Sequence, residues 1–439
     1  MSPTTQGLLV FVVTIGLLFS GVPVAFGLGA ISIVFLLLFQ GFDALRVVAE
    51  TFWSGLDEFT LVSIPMFVMM GAAIGSSPAG KDLYEALDRW LYRVPGGLAI
   101  SNIGACAIFA ALTGSSPACC AAIGKMGIPE MRRRGYPDDV ACGSICAGGT
   151  LGILIPPSIT FILYGIATET SIGRLFLAGV MPGLLLTTLF ILWTLFIIWK
   201  RGFRTHAPEF RYSWKEKFAS VPKVFPFIAI IVGVMYVLYG GVATPSEGAG
   251  VGAALCVLAA VVIYRMWAPS MWWEILRDTM RESVMILMII AAAVLFGYML
   301  TSLYLTQTLA TAIAELHVNR WVLMGIINVF LLVCGFFIPP AAIILMTSPI
   351  LMPIITAAGF DPVWFGVILT INMEVGLIHP PVGLNIYIVQ SIAPDVPVTT
   401  VMWGSVPYVL CMFLCIVILC IFPEIATWLP DTLMGPVHK

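Results

Sequence analysis

Residues 8–38, 251–264 and 402–422 hold no charged side chain, and 221–239 hold only Lys223. At 1.5 Å per helical residue, about 20 such residues cover a hydrocarbon layer roughly 30 Å thick, so these runs predict helices that cross a bilayer. The whole chain agrees: 60% of its 439 residues are hydrophobic and 10% charged, and the mean hydropathy of +1.03 lies far above that of soluble domains. Alternation with period 2 is absent, which argues against a membrane barrel. The predicted class is an all-α polytopic membrane protein. The formal net charge of -2, with basic residues grouped rather than spread, points to no nucleic-acid partner. The ten cysteines sit in apolar stretches, as small core residues do; Cys142 and Cys146 share a helix face, but no histidine accompanies them to complete a metal site. The start, MSPTTQGLLV, lacks the basic region of a cleavable signal.

Two interruptions stand out. GILIPPSITF at 152–161 and GLIHPPVGLN at 376–385 each place adjacent prolines in an otherwise helical apolar segment. At a shift of 224 residues without a gap, Pro129 meets Pro353, Gly135 meets Gly359, Gly152 meets Gly376, and Pro156 and Pro157 meet Pro380 and Pro381. Glycine and proline fix backbone shape, so their coincidence marks a duplicated unit. The expected organisation is a first repeat over 1–200, with a hairpin at 98–127 and a broken helix at 136–167. A basic loop and linker span follow over 201–244. The second repeat covers 245–439, with a hairpin at 320–357 and a broken helix at 362–390. Segments 42–58 and 78–95, with their partners 266–282 and 302–319, read as amphipathic helices in the membrane interface. In 78–95 the apolar stripe Leu83, Leu87, Trp90 and Leu91 opposes Lys81, Asp82, Glu85, Asp88 and Arg89.

If 7–39 crosses outward as one span, the single extra crossing of 221–240 inverts everything after it. The two repeats then have opposite orientation, the N-terminus is cytoplasmic and the C-terminus periplasmic. Of the 21 Lys and Arg, this arrangement leaves only Arg46, Arg174, Arg320 and Lys439 outside, and places the rest, including Arg204 and Arg211, on the cytoplasmic side, as the positive-inside rule requires. The run Arg132, Arg133 and Arg134 reads as a solvated cytoplasmic anchor.

A helix broken at bilayer depth frees backbone groups that cost several kcal/mol each if left in hydrocarbon. Near the first break, where Thr150 is a candidate binding residue, Gly148, Gly149 and Gly152 let the chain leave the helix, Pro156 and Pro157 keep it from resuming at once, and Ser158 opens the next half-helix. In the second, Gly376, His379, Pro380 and Gly383 occupy the corresponding stretch, with Glu374 and Asn372 just before it and Asn385 just after. The ending half-helix offers carbonyls to Na⁺, and the starting one offers amide dipoles to a carboxylate. The hairpin turns, Thr113, Gly114, Ser115 and Ser116 in the first repeat and Gly335, Ile338 and Pro339 in the second, can each face the break of their own repeat. The Na⁺ candidates are Ser115, Ser116, Gly149, Pro339 and Gly376. His379 reads as a hydrogen-bonding structural residue rather than a proton carrier. Catalysis is not expected: H-E-x-x-H is absent, no G-x-S-x-G stands with a suitable histidine, and the phosphate-binding G-x-x-x-x-G-K-[ST] is missing. A passive channel is not excluded by these features.

The segments LTGSSPA, GYPDDVACGSICAGGTLGILIPPSI, FIPPAAIILMTSPILMP and MEVGLIHPPVGLN resemble the signature regions of the large membrane subunit (M, DctM-like) of tripartite ATP-independent periplasmic (TRAP) transporters. The resemblance extends over essentially the whole chain. It implies a Na⁺-coupled importer of small organic anions, C4-dicarboxylates or related acids, in the bacterial inner membrane. It also implies an elevator-type fold in which a transport domain moves against a scaffold. The implied partners are a small membrane subunit (Q) and a soluble periplasmic binding protein (P), with no covalent cofactor. Many relatives carry an acidic residue at the second hairpin tip, where this chain has FFIPPAA. Ion ligands there would be carbonyls, or would come from Glu374 and Thr347.

Overall fold

The computed structural model describes residues 3–94, 96–202, 212–308, 311, 318–380 and 383–435. Pro381, Arg204, Arg211, Lys439 and, within 302–319, residues 309, 310 and 312–317 lie outside the described residues. Every regular element among them is helical. Six helices are long and apolar enough to cross a membrane alone, including Ile172–Lys200, Trp214–Tyr239, Pro269–Ser302 and Val398–Ile421. Several others are shorter, among them Gly97–Thr113, Ile159–Thr168 and Pro362–Ile378.

The helices gather into two bodies. One contains Pro3–Phe19, Val24–Gln40, Arg46–Leu56, Ser63–Gly75, Trp214–Tyr239, Pro245–Val262 and Pro269–Ser302. The other contains both hairpins, both broken helices, Ile172–Lys200, Val398–Ile421 and a short terminal helix, Glu424–Met434. Helix Ala79–Leu91 bridges them, packing on the first hairpin and on Trp214–Tyr239. Starts are set locally. Ser213 with Glu216 and Thr244 with Glu247 form capping boxes, and the Asp361 carboxylate accepts from the amides of Val363 and Trp364 at 2.7 and 3.0 Å; these side chains satisfy amides that a helix start leaves open.

The run 7–39 is not one span. It folds as Pro3–Phe19 and Val24–Gln40, separated at Gly21 (φ +82°) and Pro23. Gly7 lies against Leu305, while the Gln40 amide donates to the Ser302 carbonyl at 3.0 Å. Both ends of the pair therefore reach the same end of Pro269–Ser302, and the helices run antiparallel. Pro23 has no N–H to give a preceding turn, and Gly21 takes the left-handed conformation that ends a helix. The chain thus begins at the end of the molecule away from the basic cluster, and the expectation that 7–39 is a single span is corrected. Each half opens with such a pair, since Trp214–Tyr239 precedes Pro245–Val262 in the same way.

The halves run oppositely. Along Pro269–Ser302, Glu282 shares a cleft with Gly75, Val294 packs on Gly55, and Ser302 meets Gln40. The first half descends while the second ascends. Their shapes differ at one place. Phe42–Leu56 and Phe59–Gly75 bend by 57°, whereas the expected partner pieces 266–282 and 283–301 merge into the unbroken Pro269–Ser302. At the shift of 224, Gly55 and Pro65 correspond to Thr279 and Ile289, so the second copy lacks both the flexible residue and the missing amide that favour a bend.

Ion pairs join segments distant in the chain: Arg132–Asp395, Arg134–Asp88, Arg201–Asp139, Lys223–Asp82 and Arg174–Asp431. Within the arginine run Arg133 stays solvated, whereas Arg134 is withdrawn from solvent. Arg134, with Asp88 at 2.7 Å and Glu130 at 2.8 Å, is largely buried; burial pulls its pKa down, but Asp88 and Glu130 outweigh it and raise it. Asp88 therefore turns inward from the polar face on which the sequence placed it. The Arg132 guanidinium beside Asp395 holds that exposed carboxyl below its ordinary value.

Candidate ion and substrate site

The first hairpin consists of Gly97–Thr113 and Ser116–Arg133, joined by Gly114 and Ser115. Its tip sits on the first break. Helix Asp138–Thr150 tightens into a turn at Leu151–Ile153, and Ile159–Thr168 resumes after Ser158. Pro156 lies in the connecting segment. A Cβ on Gly152 would lie 2.6 Å from the Ser115 carbonyl oxygen, and one on Gly114 2.9 Å from that of Pro157. Only glycine lets the two backbones approach so closely.

Ser158 stands where expected and acts differently. Its hydroxyl does not cap the next helix; it donates back to the Ile153 carbonyl at 2.5 Å, satisfying one group that the break freed. The Thr150 and Thr113 hydroxyls likewise donate to carbonyls of their own helices, Ala147 at 2.7 Å and Phe109 at 3.2 Å. Gly149 faces Cys120 and the Asn385 amide rather than the tip, so its role is close packing of the broken helix on the hairpin.

The second hairpin consists of Arg320–Gly335 and Pro340–Ala357. Its tip rests on Pro362–Ile378: a methyl on Gly376 would collide with the Gly335 carbonyl. Gly376 thus occupies in the second repeat the place of Gly152 in the first. Phe336 stacks on the His379 ring with centroids 4.1 Å apart. His379 ends the half-helix, its N–H donating to Val375, and Gly383 donates to the His379 carbonyl before Leu384–Ile392 begins. Ile338 is buried in the turn, Pro339 precedes the second arm, and Pro340 starts it. Pro380 lies in the turn after His379.

Two candidates stand apart from the tips. Glu374 is fully buried, and both carboxyl oxygens lack a hydrogen-bond partner among the described residues. Two residues on a helix are separated by about 200°, so Glu374 points away from the hairpin that Gly376 and Asn372 face. Thr347 donates back to Ile343 at 2.7 Å and lines an apolar groove beside Pro3–Phe19, two turns from the tip. The Na⁺ candidates accordingly divide, Ser115 and Ser116 at one tip and Pro339 and Gly376 at the other.

Asn385 joins the two repeats. It is fully buried and donates to the Ser116 hydroxyl at 2.9 Å and the Cys146 carbonyl at 3.2 Å, linking the second broken helix to the first hairpin and the first broken helix. Sequence reasoning noted Asn385 beside its break but did not include it among the site residues. Its signal was a carboxamide in the first turn of a half-helix in an apolar setting. Asn372 donates to Asn328 of the second hairpin, a contact the sequence did not reveal.

Short hairpins lodged on paired helix breaks, with polar contacts crossing between the repeats, define a multi-pass membrane transport protein. The comparisons give the family. The model described as "Tripartite ATP-independent periplasmic transporter, DctM component" matches residues 11–425. The chain belongs to that family. It is 36% identical over 405 residues to the C4-dicarboxylate TRAP transporter large permease protein DctM of Pseudomonas aeruginosa, covering 92% of this chain and 93% of that one. It is 32% identical over 421 residues to the sialic acid TRAP transporter large permease protein SiaM of Vibrio cholerae, covering 96% and 97%. Among solved structures, the Alcanivorax borkumensis YdaH transporter matches with a TM-score of 0.66 at 17% identity, over 98% of this chain and 100% of that one, a likeness of fold. The relatives are named as permease subunits, so the role is transport and not catalysis.

Proposed function

We propose that this chain is the large membrane subunit of a Na⁺-coupled secondary importer of small organic anions, working by elevator movement with a small membrane subunit and a periplasmic binding protein. The observation that carries the reading is the pairing of Gly152 with the first hairpin tip and Gly376 with the second. Each brings the turn of a hairpin against a helix break, where carbonyl and amide dipoles can hold a cation and a carboxylate without fixed charges. The body holding both pairs is the moving one in this reading, and the body containing Pro269–Ser302 is the scaffold. The relatives' names include a C4-dicarboxylate and a sialic acid, which supports a carboxylate as cargo.

The positive-inside rule puts the basic end in the cytoplasm of a bacterial cell, with the membrane being the inner one. In this reading the antiparallel opening pair leaves the N-terminus, like the C-terminus, on the periplasmic side. Uptake of labelled succinate into liposomes containing the protein with its partners tests the coupling. Accumulation against a gradient under inward Na⁺, abolished when choline replaces Na⁺, is expected; uptake indifferent to choline removes the coupling, and equilibration without accumulation removes the carrier.

A further inference from the structure

A chamber of about 520 Å³ lies between the first hairpin and the opposite body, reaching from Thr113 and Ser115 at the tip to Lys81 and Lys125 at the basic end. Its size suits a small organic anion. The hairpin wall is one face of Ser116–Arg133, where Ala118, Ala121 and Ala122 leave room and Lys125 comes next. Ala118 and Lys125 are seven residues apart, so they share that face at a separation of about 10 Å along the axis. The helix begins at the tip, and helical side chains lean toward the N-terminus of their helix, so the Lys125 stem leans toward Ser115. Ser115 at the tip is ten residues from Lys125, about 15 Å along the axis, and the lysine stem covers roughly 5–6 Å of it. The roughly 9–10 Å that is left matches a short dicarboxylate with a hydrogen bond of about 3 Å at each end.

The charges around the chamber separate by wall. Lys81 is 3.9 Å from Glu85, and Asp278 pairs with Arg277 at 3.7 Å. Lys125 and Glu282 make no ion pair among the described residues. Lys125 rides on the hairpin and Glu282 on Pro269–Ser302, across the chamber. An anion entering this space meets an uncompensated cation on one side and an uncompensated carboxylate on the other, so it is drawn to the hairpin wall.

We propose that Lys125 is a substrate-binding residue that holds the distal carboxylate of a short dicarboxylate whose other carboxylate lies at the first hairpin tip. This rests on the transport reading above and adds to it a named anion contact and a size of cargo. The anion is held to the body that carries the hairpin, while Glu282 keeps it from lodging on the opposite wall.

The test uses Ala118→Cys as a reporter in the full chain, purified in detergent, with the protein lacking that change as the blank; its native thiols are buried except Cys420, which is partly so. Labelling rates are compared for an anionic and a cationic methanethiosulfonate reagent of similar size. With Lys125 present the anionic reagent is favoured, and Lys125→Gln lowers the anionic-to-cationic ratio about tenfold, while Lys125→Arg keeps it. Succinate is expected to slow labelling in the parent and in Lys125→Arg but not in Lys125→Gln. An unchanged ratio, no slowing by succinate in the parent, or equal slowing in Lys125→Gln overturns the proposal. The transport reading is judged separately by Na⁺-driven uptake, which uses neither the reporter cysteine nor the labelling reagents.

Discussion

At the scale of single residues, absent atoms govern the site as much as polar groups do. Gly152 and Gly376 occupy equivalent positions and are each pressed against a hairpin carbonyl, so a methyl there forces the tip off its break. Gly152→Ala is expected to lower stability by about 1–3 kcal/mol through overpacking. Gly250→Ala, in Pro245–Val262 with nothing within 4 Å of the added methyl, costs nothing; thermal unfolding of the two variants side by side checks the contrast. Asn385→Ala leaves the Cys146 carbonyl and the Ser116 hydroxyl without their shared donor. A loss of about 1–3 kcal/mol is expected, with slower uptake, and an unaltered melting temperature would contradict it. The glycines and prolines of the breaks were readable because they repeat at a fixed shift. Asn385 was missed as a site residue because its partners lie on Ser116 and Cys146, more than 200 residues away in the chain, and no local pattern announces such a meeting.

Among the elements, helix Ala79–Leu91 holds the two bodies together at the basic end. Its Asp88 is bound by Arg134 in a nearly dry pair, and removing Asp88 leaves Arg134 with Glu130 as its remaining carboxylate. Asp88→Ala is expected to cost about 1–3 kcal/mol, while Glu50→Ala, on the exposed surface of Arg46–Leu56, changes stability by less than about 0.5 kcal/mol; denaturation in mild detergent distinguishes them. The Arg132–Asp395 tie predicts a pH effect of definite sign. Because the folded pKa of Asp395 is depressed, the stability it contributes is fully present above the unfolded value of about 4 and is lost as the pH falls through the lowered folded value. Protection of amides in the 393–397 loop, taken relative to their intrinsic exchange rate at each pH, should fall on acidification only below about pH 4, and a fall already near neutral pH would count against the tie. Periodicity located most helices to within a few residues. It misplaced Asp88, because a helix flanked by a second body has no single solvated face.

For the molecule as a whole, the opening antiparallel pair decides how many times the first half crosses. Cysteines introduced at Gln6 and Ser20 should be labelled by impermeant reagents from opposite sides, with Gln6 reached from the periplasm; labelling of both from one side would restore a single span. The count of basic residues had no power to detect this turn, since the first Lys or Arg is Arg46. Sequence alone determined the membrane class, the duplication, and the hairpins and breaks, because burial in lipid and the shape of glycine and proline act on short stretches of chain. Only the tertiary structure decided that 7–39 folds back, that Glu374 and Thr347 turn from the tips, that Asn385 ties one repeat to the other, and that Lys125 looks into a chamber. These depend on which surfaces meet across hundreds of residues, where packing and the need to satisfy buried polar groups select among arrangements that local propensity leaves equal.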